Sequence, residues 1–170
     1  MTSIDDQIEA LQAAVEGVRP RPQTSEDLES PDPPSHSPRV LIADDDSAFR
    51  SMLRGWLSDL GISDVIEAPD GAWAVELASK TRPDLILMDL RMPNMDGIEA
   101  TRRVRAALPS VQVVMLSAYG DEGLQRAAES AGVYSYLTKG SSPELLLQTI
   151  RLAQTYRLHS EHGSGVQYHP

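Results

Sequence analysis

Four short apolar runs in this 170-residue chain each end in side chains that could do chemistry. RVLIA is followed by Asp44, Asp45 and Asp46, DLILM by Asp89, VQVVML by Ser117, and VYSYL by Thr138 and Lys139. If these runs are strands of one parallel sheet, their carboxyl ends lie along a single edge, where ligands bind in open α/β sheets. That edge would then hold several carboxylates, a hydroxyl and an ammonium. Two carboxylates about 4 Å apart repel by about 1 kcal/mol in water, and by about 4 kcal/mol at an effective dielectric of 20. A cluster of them needs a shared proton or a cation. Oxygen ligands with no His or Cys nearby suit Mg²⁺, and one lysine is a point charge suited to a phosphate.

The elements that must position these groups are legible from periodicity. Residues 39–43, 64–67, 84–88, 111–116 and 133–137 read as short strands, the one at 64–67 being weak. Between them lie helical patterns. The first carries Phe49, Met52, Leu53, Trp56, Leu57 and Leu60 on one face. Asp70 caps the second, which runs through Trp73 and Leu77. The third spans 95–107 with Ile98, Thr101 and Val104 inward, and the fourth spans 121–131. Ser142 and Pro143 open the last at its N-cap and first position. Five strand–helix units imply a parallel sheet covered on both faces. Right-handed crossovers then lead to a doubly wound α/β fold, and the glycine-poor first turn argues against a dinucleotide site. Asp46 could serve as the N-cap of the first helix, but three aspartates together exceed what capping needs.

The remaining segments are of other kinds. Residues 1–38 carry two Arg against eight acidic groups, so much of the formal net charge of −10 lies there. Within 1–19, Ser3 and Asp6 have capping-box spacing, and Ile4, Ile8, Leu11, Val15 and Val18 form an apolar seam. Such a short amphipathic helix needs a partner surface. Residues 20–38 hold six prolines and read as a disordered linker. The domain is expected over 39–156, with a frayed tail at 157–170. Acidity and a pI of about 4.7 oppose direct nucleic-acid binding. With no cysteine, disulfides and thiol chemistry are excluded. The N-terminus has no signal-peptide character and no run is long enough to span a membrane, so a soluble, cytoplasmic protein is expected. The four histidines lie in the flanking segments and read as inert.

The segments VLIADDD, LILMDLRMPNMDG, VVMLSA and YSYLTKG, in this order and separation, resemble the response-regulator receiver family, from about Arg39 to Ala153. The resemblance implies a flavodoxin-like sheet of order 2-1-3-4-5. It also implies a Mg²⁺ ion held by Asp44, Asp45, Asp89 and the main-chain carbonyl of Arg91. By the same resemblance Asp89 accepts the phosphoryl group, Lys139 pairs with it, and Ser117 hydrogen-bonds the phosphoryl oxygens. Tyr136 stands at the switch aromatic, and Arg91 and Tyr119 stand where the family sets the lifetime of the phosphoryl group. Ser117 replaces the commoner threonine, and Gly140 stands where many members have proline.

The function implied is a phosphorylation-dependent signalling switch. It would take its phosphoryl group from a sensor histidine kinase or phosphotransfer protein and act through contacts with an output protein, with a homodimer as one option. It would catalyse only its own phosphorylation and dephosphorylation. One alternative is the receiver portion of a DNA-binding transcriptional regulator, because YLTKGSSPELLLQTIR resembles receivers of LuxR-type regulators. A second is a hydrolase with an aspartyl-phosphate intermediate, but that chemistry uses D-x-D and Arg91 stands at the second position. A degenerate receiver that needs no phosphate is opposed by the intact Asp44, Asp45, Asp89, Ser117 and Lys139.

Overall fold

The computed structural model describes residues 37–118 and 120–162. The expected N-terminal helix and most of the Pro-rich linker lie outside the described residues. The described chain alternates strand and helix. The strands are β1 (Val40–Ala43), β2 (Val65–Ala68), β3 (Leu85–Asp89), β4 (Gln112–Ser117) and β5 (Ser135–Thr138). The helices are α1 (Ser47–Asp59), α2 (Gly71–Thr81), α3 (Gly97–Ala107), α4 (Glu122–Ser130) and α5 (Pro143–His162). All strand pairs are parallel, in the order β2-β1-β3-β4-β5, which is the doubly wound order expected.

The two faces of the sheet are filled by alternate residues of the strands, as the period of two requires. Leu41, Ile86, Met88, Val113 and Met115 point to one side, where Ala74, Ala78, Ala100, Val104 and Ala128 of α2, α3 and α4 pack. These small helix residues let the three helices approach the sheet closely. Val40, Ile42, Leu85, Leu87, Val114 and Leu116 point to the other side, against Leu53 and Leu57 of α1 and Leu146, Ile150 and Ala153 of α5. Each large aliphatic side chain removed completely from water contributes about 1.5–3 kcal/mol. The central strands β1, β3 and β4 are buried throughout, whereas edge strand β5 is only half-buried. Met52 is 37% exposed, at the margin of the α1 stripe rather than within it.

Each of the first four helices begins on an aspartate. Asp46, Asp70, Asp96 and Asp121 all accept main-chain N–H groups of the following turn. Such caps satisfy donors that a helix start leaves unpaired. For α5, the Ser142 hydroxyl accepts the Leu145 N–H at 3.3 Å. The α5 helix runs past residue 156, where the sequence reading ends the domain, to His162. No glycine or proline interrupts it before Gly163, and Arg157 ion-pairs with Asp84, whose other oxygen accepts the Arg39 N–H at 2.7 Å. The helix end is thus tied to the amino-terminal edge of the sheet. Among the described residues, no helix is long and apolar enough to cross a membrane.

Two glycines allow close approach of main chains beside the sheet's carboxyl edge. A Cβ on Gly97, the first residue of α3, would lie 2.1 Å from the Asp89 carbonyl oxygen. A Cβ on Gly71, the first residue of α2, would lie 2.3 Å from the Met95 carbonyl oxygen. The β3–α3 loop between them is further held by Asn94, in the left-handed region at φ 66°, whose amide donates to Asp70 at 3.1 Å. This loop carries the main chain that leaves Asp89.

Candidate acidic site at the carboxyl edge of the sheet

Asp44 follows β1 directly and continues its pairing, its N–H donating to the Ala68 carbonyl at 3.1 Å. Its side chain is buried, 1% exposed. One carboxylate oxygen, Oδ1, accepts the Asp46 N–H at 2.9 Å. The other, Oδ2, lies 2.6 Å from the Lys139 ammonium. That contact is an ion pair; beyond it, Oδ2 is a buried oxygen with no further hydrogen-bond partner among the described residues. Asp46 turns its own carboxylate away to cap α1, accepting from Ala48 and Phe49 at 2.9 and 3.3 Å. The acidic triplet therefore divides between capping and the cluster.

Asp89 ends β3 in register with Leu116 of β4 and is 4% exposed. Burial raises its pKa above the ordinary 3.8, and the Asp44 charge adds to this. The Lys139 ammonium, 3.2 Å away, and a hydrogen bond from the Arg91 main chain work in the other direction without cancelling it. Asp45 is exposed, and its carboxylate has no hydrogen-bond partner among the described residues. Single oxygens of Asp44, Asp45 and Asp89 all lie within 4.8 Å of one another.

Lys139 enters the cluster from β5. Its main-chain N–H donates to the Ser117 carbonyl at 2.7 Å, which fixes the start of the side chain beside the end of β4. Burial disfavours the ammonium, but the Asp44 and Asp89 carboxylates outweigh that and hold its pKa above 10.5. The ammonium also lies 4.6 Å from the centre of the Phe49 ring, where the negative face of an aromatic attracts a cation. Gly140, next in sequence, has neither a left-handed φ nor a close neighbour. The Ser141 N–H closes the turn onto the Thr138 carbonyl at 2.9 Å. Nothing in this geometry requires glycine there.

The sequence-selected residues thus divide. Asp44, Asp45, Asp89 and Lys139 come together, and Ser117, 3% exposed, lies at the same edge, paired in register with Thr138. Tyr136, half-buried on β5, packs with the apolar cluster on the α2–α3–α4 side of the sheet. Arg91 has an exposed side chain, which lines a surface pocket of about 460 Å³ with Leu90, Met92, Asp96, Ile98 and Leu124. Tyr119 lies outside the described residues.

Two residues that the sequence did not mark as part of the site prove to touch it. Phe49 belongs to the α1 stripe but also underlies Lys139. Arg50 donates from Nη1 to the Asp44 carbonyl at 2.7 Å. The spacing of Phe49 on an apolar helical stripe gives no sign of its second contact. Arg50, four residues after the Asp46 cap, carried a weak signal, since long helical side chains lean toward the helix N-terminus.

Donor chemistry at this edge fits a hard divalent cation. It has a buried oxygen on Asp44 facing the Lys139 ammonium, two further carboxylates at ligand spacing, and no nitrogen or sulfur ligand within the cluster. Mg²⁺ takes such oxygens at about 2.0–2.1 Å and keeps several waters.

The family model described as the response regulator receiver domain matches residues 40–151. The chain is 40% identical over 114 residues to the response regulator protein VraR of Staphylococcus saprophyticus, covering 66% of this chain but 54% of VraR. It is 32% identical over 115 residues to the chemotaxis protein CheY of Listeria monocytogenes, covering 68% of this chain and 97% of CheY. Among solved structures, the signal receiver domain of the putative response regulator NarL of Mycobacterium tuberculosis aligns with a TM-score of 0.65 at 32% identity. That alignment covers 70% of this chain and 97% of the NarL domain. The chain therefore spans about half the length of VraR and nearly the whole length of the CheY relative.

Proposed function

The chain belongs to the response regulator receiver family, the phosphorylation-dependent switches of two-component signalling, and from that premise we propose that Asp89 is its phosphoryl acceptor. The observation that carries this reading is the bridging position of Lys139, 3.2 Å from Asp89 and 2.6 Å from Asp44. An ammonium so placed can follow charge from the free carboxylate to the phosphoryl oxygens.

In the proposed reaction an Asp89 carboxylate oxygen attacks the phosphorus of a phosphohistidine. The P–N bond breaks as the O–P bond forms, the imidazole leaves, and Asp89 becomes an acyl phosphate. Such transfers need little covalent help, so positioning and charge stabilisation do most of the work. Lys139 stabilises the phosphoryl oxygens. Ser117, at the end of the neighbouring strand, donates a hydrogen bond to one of them. Asp44, Asp45, Asp89 and the Arg91 carbonyl would hold Mg²⁺, which when bound supplies positive charge to the same oxygens. Tyr136 is the proposed switch aromatic, changing its burial as Ser117 moves toward the phosphoryl group.

The phosphodonor in this reading is a sensor histidine kinase or phosphotransfer protein, and the output is a protein–protein contact in the cytoplasm. The test uses acetyl phosphate and Mg²⁺ as the donor system, with intact-mass measurement. One added phosphoryl group is expected on the wild-type chain and none on Asp89→Asn. Full labelling of Asp89→Asn would overturn the assignment.

A further inference from the structure

Of the three carboxylates at the acidic edge, two are held by their side chains and one is not. Asp44 is fixed through Oδ1 by the Asp46 N–H, and Asp89 is ion-paired with Lys139 at 3.2 Å. The exposed Asp45 carboxylate has no such tether among the described residues. Its place is set only by the main chain that carries it, beginning with the Asp44–Asp45 peptide.

That peptide is held from outside the cluster. Its carbonyl, on Asp44, accepts from Arg50 Nη1 at 2.7 Å. The same guanidinium donates from Nε to Glu67 Oε2 at 2.9 Å, so Arg50 spans from β2 to the acidic loop. The Glu67 carboxylate is gripped on its other oxygen by Arg54 Nε at 2.7 Å, and Arg54 also donates to the Val65 carbonyl at 3.1 Å. Arg50 is the more buried of the two arginines, its side chain 16% exposed against 46% for Arg54. Hydrogen bonds at that depth compete with less water and fix geometry more firmly. Charge-assisted bonds of this kind are also stronger than neutral ones. With Asp44 N–H already on the Ala68 carbonyl, the two ends of residue 44 are fixed and the direction of the chain into Asp45 follows.

We propose that Arg50, braced by Glu67, is a positioning residue that acts through the Asp44 carbonyl to aim the Asp45 carboxylate at a divalent cation. This rests on the metal reading above. Outer partners of metal ligands contribute to affinity by restricting ligands to a productive orientation. Arg54 shares the Glu67 carboxylate but touches nothing on the acidic loop, so it is the internal control.

The experiment titrates the full chain with Mn²⁺, following free Mn²⁺ by electron paramagnetic resonance, with Mg²⁺ as competitor and circular dichroism to check folding. Wild type should bind one Mn²⁺ that Mg²⁺ displaces. Arg50→Met should bind about tenfold more weakly, and Arg54→Met should stay within about twofold of wild type. Glu67→Gln, which weakens the brace while leaving Arg50 in place, should lose about threefold, and it decides the matter if Arg50→Met does not fold. Unchanged affinity in a folded Arg50→Met, or in Glu67→Gln where Arg50→Met is unfolded, overturns the inference and leaves the metal reading intact. An equal loss in Arg54→Met also overturns it, because the effect would then be general loosening. If wild type binds no Mg²⁺-displaceable Mn²⁺, the metal reading fails and the inference fails with it.

Discussion

Gly97 sits directly on Asp89: a Cβ at its position would come within 2.1 Å of the Asp89 carbonyl oxygen, and its N–H donates to the Leu90 carbonyl at 2.9 Å. The obstacle is main chain, which cannot rotate away. Helix α3 is thereby packed against the residue proposed to carry the phosphoryl group. Gly97→Ala is expected to destabilise the domain by about 2–3 kcal/mol, at the upper end for overpacking. It should also slow labelling by acetyl phosphate, because the chain leaving Asp89 must shift. Urea unfolding together with labelling rates checks this, and a variant as stable as wild type would show that α3 can slide.

The Glu67 clasp gives a pH dependence with a definite sign. Hydrogen bonding from Arg54 holds the Glu67 pKa below 4.5; burial opposes this, and Arg50 adds to the lowering. A carboxylate whose pKa is depressed in the folded state contributes stability that is present above its unfolded pKa. That stability is lost as pH falls through the folded value. Glu67→Gln should therefore be less stable than wild type at pH 7. The difference should close as pH falls below 4.5 and through the lowered folded value. Parallel urea titrations of the two proteins across that range measure it. A difference that stays constant with pH would assign the loss to packing.

Phe49 is expected to act on Lys139 through its ring face. The ammonium at 4.6 Å from the ring centre gains about 0.5–1 kcal/mol from such a contact. Phe49→Leu keeps an apolar side chain on the α1 stripe but removes the ring. If the contact helps hold Lys139 for the reaction, labelling by acetyl phosphate should slow by about two- to fivefold. Phe49→Tyr, which retains a π face, should keep most of the rate. Equal slowing in both variants would point to packing alone.

Much of this protein was determined by its sequence taken by itself. Alternating apolar runs and helical stripes specify five strands and five helices, because side-chain period follows directly from backbone geometry. Handed crossovers then restrict how such units can be wound. Asp44, Asp89, Ser117 and Lys139 stood out because each closes or follows an apolar strand, and a parallel sheet gathers those ends along one edge. The Asp46, Asp70 and Ser142 caps were legible too, since a cap bonds to N–H groups only two or three residues ahead. The extent of α5 was read too short: the chain after residue 156 shows no apolar periodicity, yet it continues as helix to His162, with Arg157 ion-paired to the distant Asp84.

What only the tertiary structure decided depends on contacts between segments distant along the chain. Phe49 and Lys139 are ninety positions apart, and nothing local marks the ring as a seat for that ammonium. Arg50 joins the Asp44 carbonyl to Glu67 on β2, seventeen positions further along the chain. Gly71 and Gly97 look like ordinary helix starts until the Met95 and Asp89 carbonyls are seen where their Cβ atoms would be. Local pattern governs which elements form, since it reflects neighbours within a turn or a strand. The placement of one side chain to within an ångström is set by packing of elements against each other, and that exists only once the sheet has closed its neighbours around the site.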